Sequence, residues 1–349
     1  MGSRRFVVET RGFALSCLLT GTYTRQLQYR RMATITSPGV RNWQPPAPAR
    51  ARVPIGDASN LFLFSVDYED VRGELVGSWN NPDRLPTMTE RFLAFLQAHD
   101  VTTTFFVSGE TAEAHPELIA DIISAGHEIG CHGWRHVPME RYQATQFKDD
   151  ISKSLDCLYD AGAKRVVGFR APYLSLTKGS AWAYGVLADL QFVYSSSVLP
   201  GHTHLYGWPD FGAGIKPVAG VYELPVSVVS LSGYSLPFAS GACFRTVPWF
   251  LLRAIFAKRR KSSGPLIGYF HPQDIDTEQA TIRYAQYGRV GNMVLRCNRR
   301  QVLDRIGAIF NDGWRALPYI EFVERHLRCS TTDQRDGAVG RRPAPVSVR

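Results

Sequence analysis

The stretch Leu61-Phe62-Leu63-Phe64-Ser65-Val66-Asp67-Tyr68-Glu69-Asp70 decides the architecture. Leu61 to Val66 is apolar nearly throughout, the pattern of a strand buried on both faces of a parallel sheet. Acidic residues follow at its carboxyl end. Alternation along an extended chain puts Asp67 and Glu69 on one side and Asp70 on the other. Carboxylates in that place suit a helix cap or a solvated rim as well as chemistry, so the flanking sequence has to decide between them.

Downstream, apolar strands alternate with helices. Met88, Phe92, Phe95 and Leu96 fall at helical spacing, and Thr103–Val107 reads as a second strand. Pro116 opens a helix carrying Leu118, Ile119, Ile122 and Ile123, and Gly126 closes it. Glu128–Cys131 is a third strand, Phe147–Leu158 a helix, Val166–Phe169 a strand and Trp182–Leu190 a helix. Strands are expected at Phe192–Tyr194, Tyr222–Val229 and Leu266–Phe270, with helices at Trp249–Lys258 and Arg299–Phe310. This succession predicts an α/β fold with a parallel sheet, closed as a (β/α) barrel.

Composition places the chain among ordinary globular proteins, with 44% hydrophobic and 20% charged residues. No apolar run approaches the roughly 20 residues of a bilayer span, so no integral membrane segment is expected. The formal charge of +9 sits in the tails. Residues 1–58 carry nine Arg against Glu9 and Asp57, and residues 327–349 carry five Arg against Asp333 and Asp336. The fold itself therefore advertises no nucleic-acid surface. One internal basic run, Lys258-Arg259-Arg260-Lys261, ends an apolar helix, where cations favour the helix dipole; an acidic membrane or polymer surface is the other reading.

Residues 1–58, with Pro45-Pro46-Ala47-Pro48-Ala49, read as a disordered or targeting extension, residues 59–328 as the folded domain and residues 329–349 as a disordered tail. Ser3-Arg4-Arg5 before Phe13–Leu19 faintly resembles a twin-arginine export signal, while Met32 offers another start. Six cysteines without a C-x-x-C pair suit a reducing, cytoplasmic compartment.

In a parallel α/β fold, functional residues collect at the carboxyl ends of strands. The third strand runs into His132-Gly133-Trp134-Arg135-His136, whose two imidazoles would stack on one face of a helical turn and chelate one metal. His127-Glu128 invites a zinc-protease reading, which fails because His132 lies five residues after His127 rather than four. The fourth strand ends in Arg170-Ala171-Pro172-Tyr173, where a guanidinium suits holding a carboxylate ionised, and a later one ends in Tyr269-Phe270-His271-Pro272. Singly, each suits a turn or core packing. Together, Asp67, Glu69, His132, His136, Arg170 and His271 at successive strand ends mark one active rim.

The order of these motifs resembles the NodB-type polysaccharide deacetylases, the fourth carbohydrate esterase family, over about residues 60–325. Ser65–Asp70, His132–His136, Arg170–Tyr173 and Phe270-His271 match its motifs, and Thr104–Val107 and Gly126–Gly130 its framework. The subgroup resembled is that of exopolysaccharide-locus enzymes. The resemblance implies a distorted (β/α) barrel with fewer than eight regular strands, and N-deacetylation of an N-acetylated carbohydrate such as a chitooligosaccharide or exopolysaccharide. It further implies His132, His136 and Glu69 as ligands of a divalent metal, usually Zn2+, with Glu69 replacing the family's usual Asp because Tyr68 occupies that position. Asp67 would be the general base, Arg170 its orienting partner, the Tyr173 N–H an oxyanion donor and His271 the general acid. Ser195, where the subgroup commonly has Asp, and Gln273-Asp274, where it has Trp-Glu, depart from the pattern. Trp134, Trp182 and Trp208 suit either sugar stacking or the core. Competing readings are a deformylase or cyclic-amide hydrolase on the same barrel, an inactive carbohydrate-binding descendant, and a non-haem iron oxygenase with two His and one carboxylate.

Overall fold

The computed structural model describes residues 58–70, 72, 81–203, 206–231, 233–261, 264–278 and 296–328. The extension expected over 1–58, apart from Ala58, and the tail expected over 329–349 lie outside them.

Strand β1 (Phe62–Tyr68) is the expected central strand, buried at all seven positions. Helix α1 (Leu85–Ala98) buries Leu85, Met88, Phe92 and Leu96, and β2 (Thr104–Val107) follows. Helix α2 (Gly109–Ala114) precedes α3 (Pro116–Ser124), which begins on its proline as read, and Gly126 beyond it adopts φ +84°. Next come β3 (Glu128–Cys131), α4 (Ala144–Asp160), β4 (Gly168–Phe169), α5 (Ala183–Asp189) and β5 (Tyr194–Ser195). A hairpin of β6 (Lys216–Val218) and β7 (Val221–Glu223) precedes a separate one of β8 (Val229–Leu231) and β9 (Tyr234–Leu236). Helices α6 (Gly241–Thr246) and α7 (Trp249–Arg259), strand β10 (Leu266–Phe270), and helices α8 (Gln301–Asn311) and α9 (Tyr319–Phe322) complete the order.

Eight strands form one sheet in the order β10-β1-β2-β3-β4-β5-β7-β6, curled into a half-barrel. All neighbours run parallel except β6 against β7. Ending one edge on an antiparallel hairpin leaves β6 and β10 without a mutual ladder, so the barrel stays open. The strand expected over Tyr222–Val229 divides between β7 and β8, because Leu224–Val228 leaves the sheet around Pro225.

The alternation of β1 sorts its side chains into two cores. Phe62, Phe64, Val66 and Tyr68 pack with the helices, whereas Leu61 and Leu63 face the interior with Phe106, Tyr194, Ile267, Tyr269 and Tyr319. Ser65 and Asp67 share the register of Leu63, which sets polar groups inside the curl and Asp67 at its carboxyl rim. Close approach constrains the sheet at Gly168, where an added Cβ would lie 2.1 Å from the Tyr194 hydroxyl. Tyr194 is buried and donates to Glu128 at 2.8 Å, so it has no free direction in which to yield. Gly168→Ala is expected to lower stability by about 1–3 kcal/mol, seen as a lower urea midpoint at unchanged slope.

Candidate metal centre and active site

Arg170 is wholly buried, and its guanidinium organises the rim. Nη1 donates to Asp67 Oδ1 at 2.7 Å and to Ser65 Oγ at 2.7 Å. Nη2 donates to Ser196 Oγ at 2.9 Å and Tyr319 Oη at 3.0 Å, and Nε donates to the Ser196 carbonyl at 2.9 Å. The plane sits 4.4 Å from the Phe106 ring centroid. A buried charge demands this degree of satisfaction. Burial by itself would raise the Asp67 pKa, but the Arg170 charge, aided by His132 and His271, turns the shift downward. Asp67 therefore stays ionised and directed.

The backbone carbonyl of Arg170 also accepts from His132 Nδ1 at 2.8 Å. With its proton committed to that carbonyl, His132 presents the lone pair of Nε2, and this atom is buried without a hydrogen-bond partner among the described residues. Burial drives the His132 pKa down to about 3, so the ring is neutral at physiological pH and ready to ligate. His136 Nε2 lies 3.0 Å from Glu69 Oε2. One ligand atom each from Glu69, His132 and His136 all fall within 4.8 Å of one another. Two imidazoles, a carboxylate and an inward-facing lone pair fit a divalent cation with positions left open.

The histidines do not meet across a helical turn. His132–His136 is an irregular loop in which Gly133 has φ +75° and His136 φ +50°. The chain doubles back, which brings the two rings to 5.1 Å. Tyr173, at φ +58° and followed by Leu174 at φ +52°, packs its ring 4.2 Å from that of His136. Left-handed non-glycine backbone costs about 1–3 kcal/mol per residue and persists where surroundings impose it. Here the loop is pinned by the Ala171 N–H donating to Ser197 Oγ at 2.8 Å.

His271 completes the rim, its Nε2 3.9 Å from Glu69 Oε1. The Asp274 carboxylate accepts from the His271 backbone N–H at 2.8 Å and lies 3.4 Å from Nδ1, while Arg245 Nε sits 3.0 Å from its other oxygen. Burial opposes Asp274 ionisation, yet Arg245 and His271 outweigh it and hold the pKa at about 2. Asp274, one of the departures from the family pattern, thus supplies His271 with a carboxylate partner. Ser195, the other, donates to Ser197 Oγ at 2.8 Å, and the Ser197 and Val198 N–H groups donate to buried Glu223 at 2.8 Å. That serine-rich turn braces the Arg170 loop instead of carrying an acid.

Asp70 points away, as alternation requires. With Asp83 and His115 it forms a second acidic group, but Arg72 lies between the carboxylates at 2.6 and 2.8 Å and supplies their countercharge. Glu128 is structural, accepting from Thr104, Tyr194 and the Ile320 N–H, which agrees with rejecting the protease reading. Trp134 is buried under Lys153 Nζ at 3.4 Å, and Trp182 and Trp208 pack against the core. Sequence reasoning missed Ser65, Ser196, Tyr319 and Arg245 as supports. The Ser195-Ser196-Ser197 run beside the sheet was the only available signal.

The family described as Polysaccharide deacetylase matches residues 78–192, and a family described as a domain of unknown function matches residues 196–316. His132, His136, Arg170 and Tyr173 lie in the first segment and His271 in the second, while Asp67 and Glu69 precede both. Strands from both segments share one sheet. A peptidoglycan deacetylase of Helicobacter pylori is 28% identical over 123 residues, 32% of this chain and 42% of that protein. Peptidoglycan-N-acetylglucosamine deacetylase PgdA of Listeria monocytogenes is 27% identical over 100 residues, 29% and 22% respectively. The chain thus spans less than half the length of these curated relatives. The solved structure of peptidoglycan deacetylase PdaC from Bacillus subtilis aligns with a TM-score of 0.42 at 13% identity, covering 82% of this chain and 99% of that one.

The Asp274 pair has a pH consequence. Its folded pKa of about 2 lies below the usual 3.8, so its stabilisation is complete above about pH 4 and disappears as pH falls through 2. Asp274→Asn should remove about 2 kcal/mol at neutral pH and flatten the acid limb of a stability–pH curve measured by urea denaturation.

Proposed function

Since residues 78–192 belong to the polysaccharide deacetylase family, we propose that this chain is a metal-dependent hydrolase removing N-acetyl groups from the amino sugars of a glycan, of chitooligosaccharide or exopolysaccharide type. The observation that carries the reading is the convergence of Glu69, His132 and His136 on one point beside an Asp67 kept ionised by Arg170. The relatives named for peptidoglycan make that polymer the first competing substrate.

A divalent cation, with zinc favoured by the two-imidazole, one-carboxylate set, would supply polarisation of the amide carbonyl and acidification of the attacking water. Asp67 accepts the proton from that water, its oxygen directed by the Arg170 bond. The Tyr173 N–H, in the left-handed turn against His136, donates to the carbonyl oxygen as charge builds there. An amine leaves poorly as an anion, so His271 protonates the nitrogen, with Asp274 orienting its ring from the opposite side.

Zinc-loaded protein should release acetate from at least one of chitooligosaccharide, N-acetylated exopolysaccharide or peptidoglycan. Asp67→Asn should cut turnover on the order of 10²–10⁴-fold while bound metal, measured by elemental analysis, stays near the wild-type level. Sugar binding without release would identify a binding module, formate release a deformylase, and iron-dependent oxygen consumption an oxygenase. Any of these, without acetate, overturns the proposal.

A further inference from the structure

Helix α7 is apolar on two sides, although only one of them meets the protein. Leu252 and Phe256 are buried, with the Phe256 ring 5.4 Å from Phe62. On the opposite side, at about 3.6 residues per turn, Phe250, Ala254 and Ala257 fall on one stripe flanked by Leu251 and Lys258, and Lys261 lies in the turn just beyond the helix. All six are exposed, Phe250 at 71% and Leu251 at 46%. Arg253 and Arg260 are engaged by Asp312, whereas Lys258 and Lys261 form no ion pair among the described residues. Nothing offsets their charge locally in sequence either, because no Asp or Glu occurs from residue 224 to residue 273.

We infer that this face of α7 docks the protein onto an anionic lipid surface. Exposed apolar side chains at one end of the helix and unpaired lysines at the other suit a peripheral contact, in which buried apolar area and attraction to anionic lipid add. Phe250 and Leu251 enter the acyl boundary, and Lys258 and Lys261 lay their stems on it with the ammonium groups among anionic headgroups. Two other occupants fit less well. A symmetric second copy would bring these lysines of the two chains towards one another across the two-fold axis. A soluble polyanion would engage the lysines and leave the exposed phenylalanine and leucine without a role. No helix among the described residues is long and apolar enough to cross a membrane, so the contact is peripheral.

The test is co-sedimentation of the full chain with vesicles of phosphatidylcholine alone or mixed equally with phosphatidylglycerol. Binding is expected to the mixed vesicles and to fall with added salt. Phe250→Ser combined with Leu251→Ser should weaken it by about tenfold or more, and Lys258→Gln or Lys261→Gln by about fivefold each. These side chains are outside the core, and unchanged thermal unfolding of each variant confirms that the fold is kept. Failure to bind mixed vesicles overturns the inference, as does binding that is indifferent to the Phe250/Leu251 pair. Self-association that Phe250→Ser abolishes would assign the face to a second copy instead.

Discussion

A guanidinium with no access to water sits at the centre of this molecule, and the rest of the rim follows from satisfying it. Arg170 draws hydrogen-bond acceptors from β1, from the turn after β5 and from α9. Removing one partner of a buried pair leaves an uncompensated charge, a cost of about 3–5 kcal/mol. The same residue acts in two directions. Its side chain holds the Asp67 carboxylate, and its carbonyl fixes the tautomer of His132. The Asp67 carboxylate and the His132 ring are thereby referred to one rigid point, which is how a small shift is prevented from separating them.

The parallel sheet was legible because its strands carry the sequence signal directly. β3 and β10 fall on the residues that periodicity indicates, and β1 reads as a buried strand breaking into acids. Less legible was anything depending on backbone direction. The spacing of His132 and His136 suggests a helical turn, yet convergence arises from two left-handed residues in a loop, where no periodicity exists to read. The division of Tyr222–Val229 into two strands was hidden for a related reason, since an apolar run looks alike whether or not it keeps a neighbour. Among the supports, Tyr319 stands 149 residues from Arg170 and looks in sequence like any core aromatic.

Departures from the family pattern explain themselves once the site is assembled. The acid beside His271 comes from its own loop at Asp274, locked by Arg245. The serine run is left to hold the Arg170–Tyr173 turn through Ala171 and Glu223. Likewise Glu69, one residue later than the usual acidic position, keeps the face of Asp67 because a strand repeats every two residues. Tyr68 between them turns outward and hydrogen-bonds Thr89 at 2.5 Å, so the substitution also ties β1 to α1.

The most direct measurement is the anomalous-scattering map of a crystal grown with zinc, recorded on both sides of the zinc absorption edge. The account predicts one dominant peak at about 2.0–2.2 Å from a Glu69 oxygen and from a nitrogen of each of His132 and His136, with Asp67 adjacent and still bonded to Arg170. A dominant peak between Asp70, Asp83 and His115, or a fully loaded protein with no peak at the Glu69 site, would contradict it.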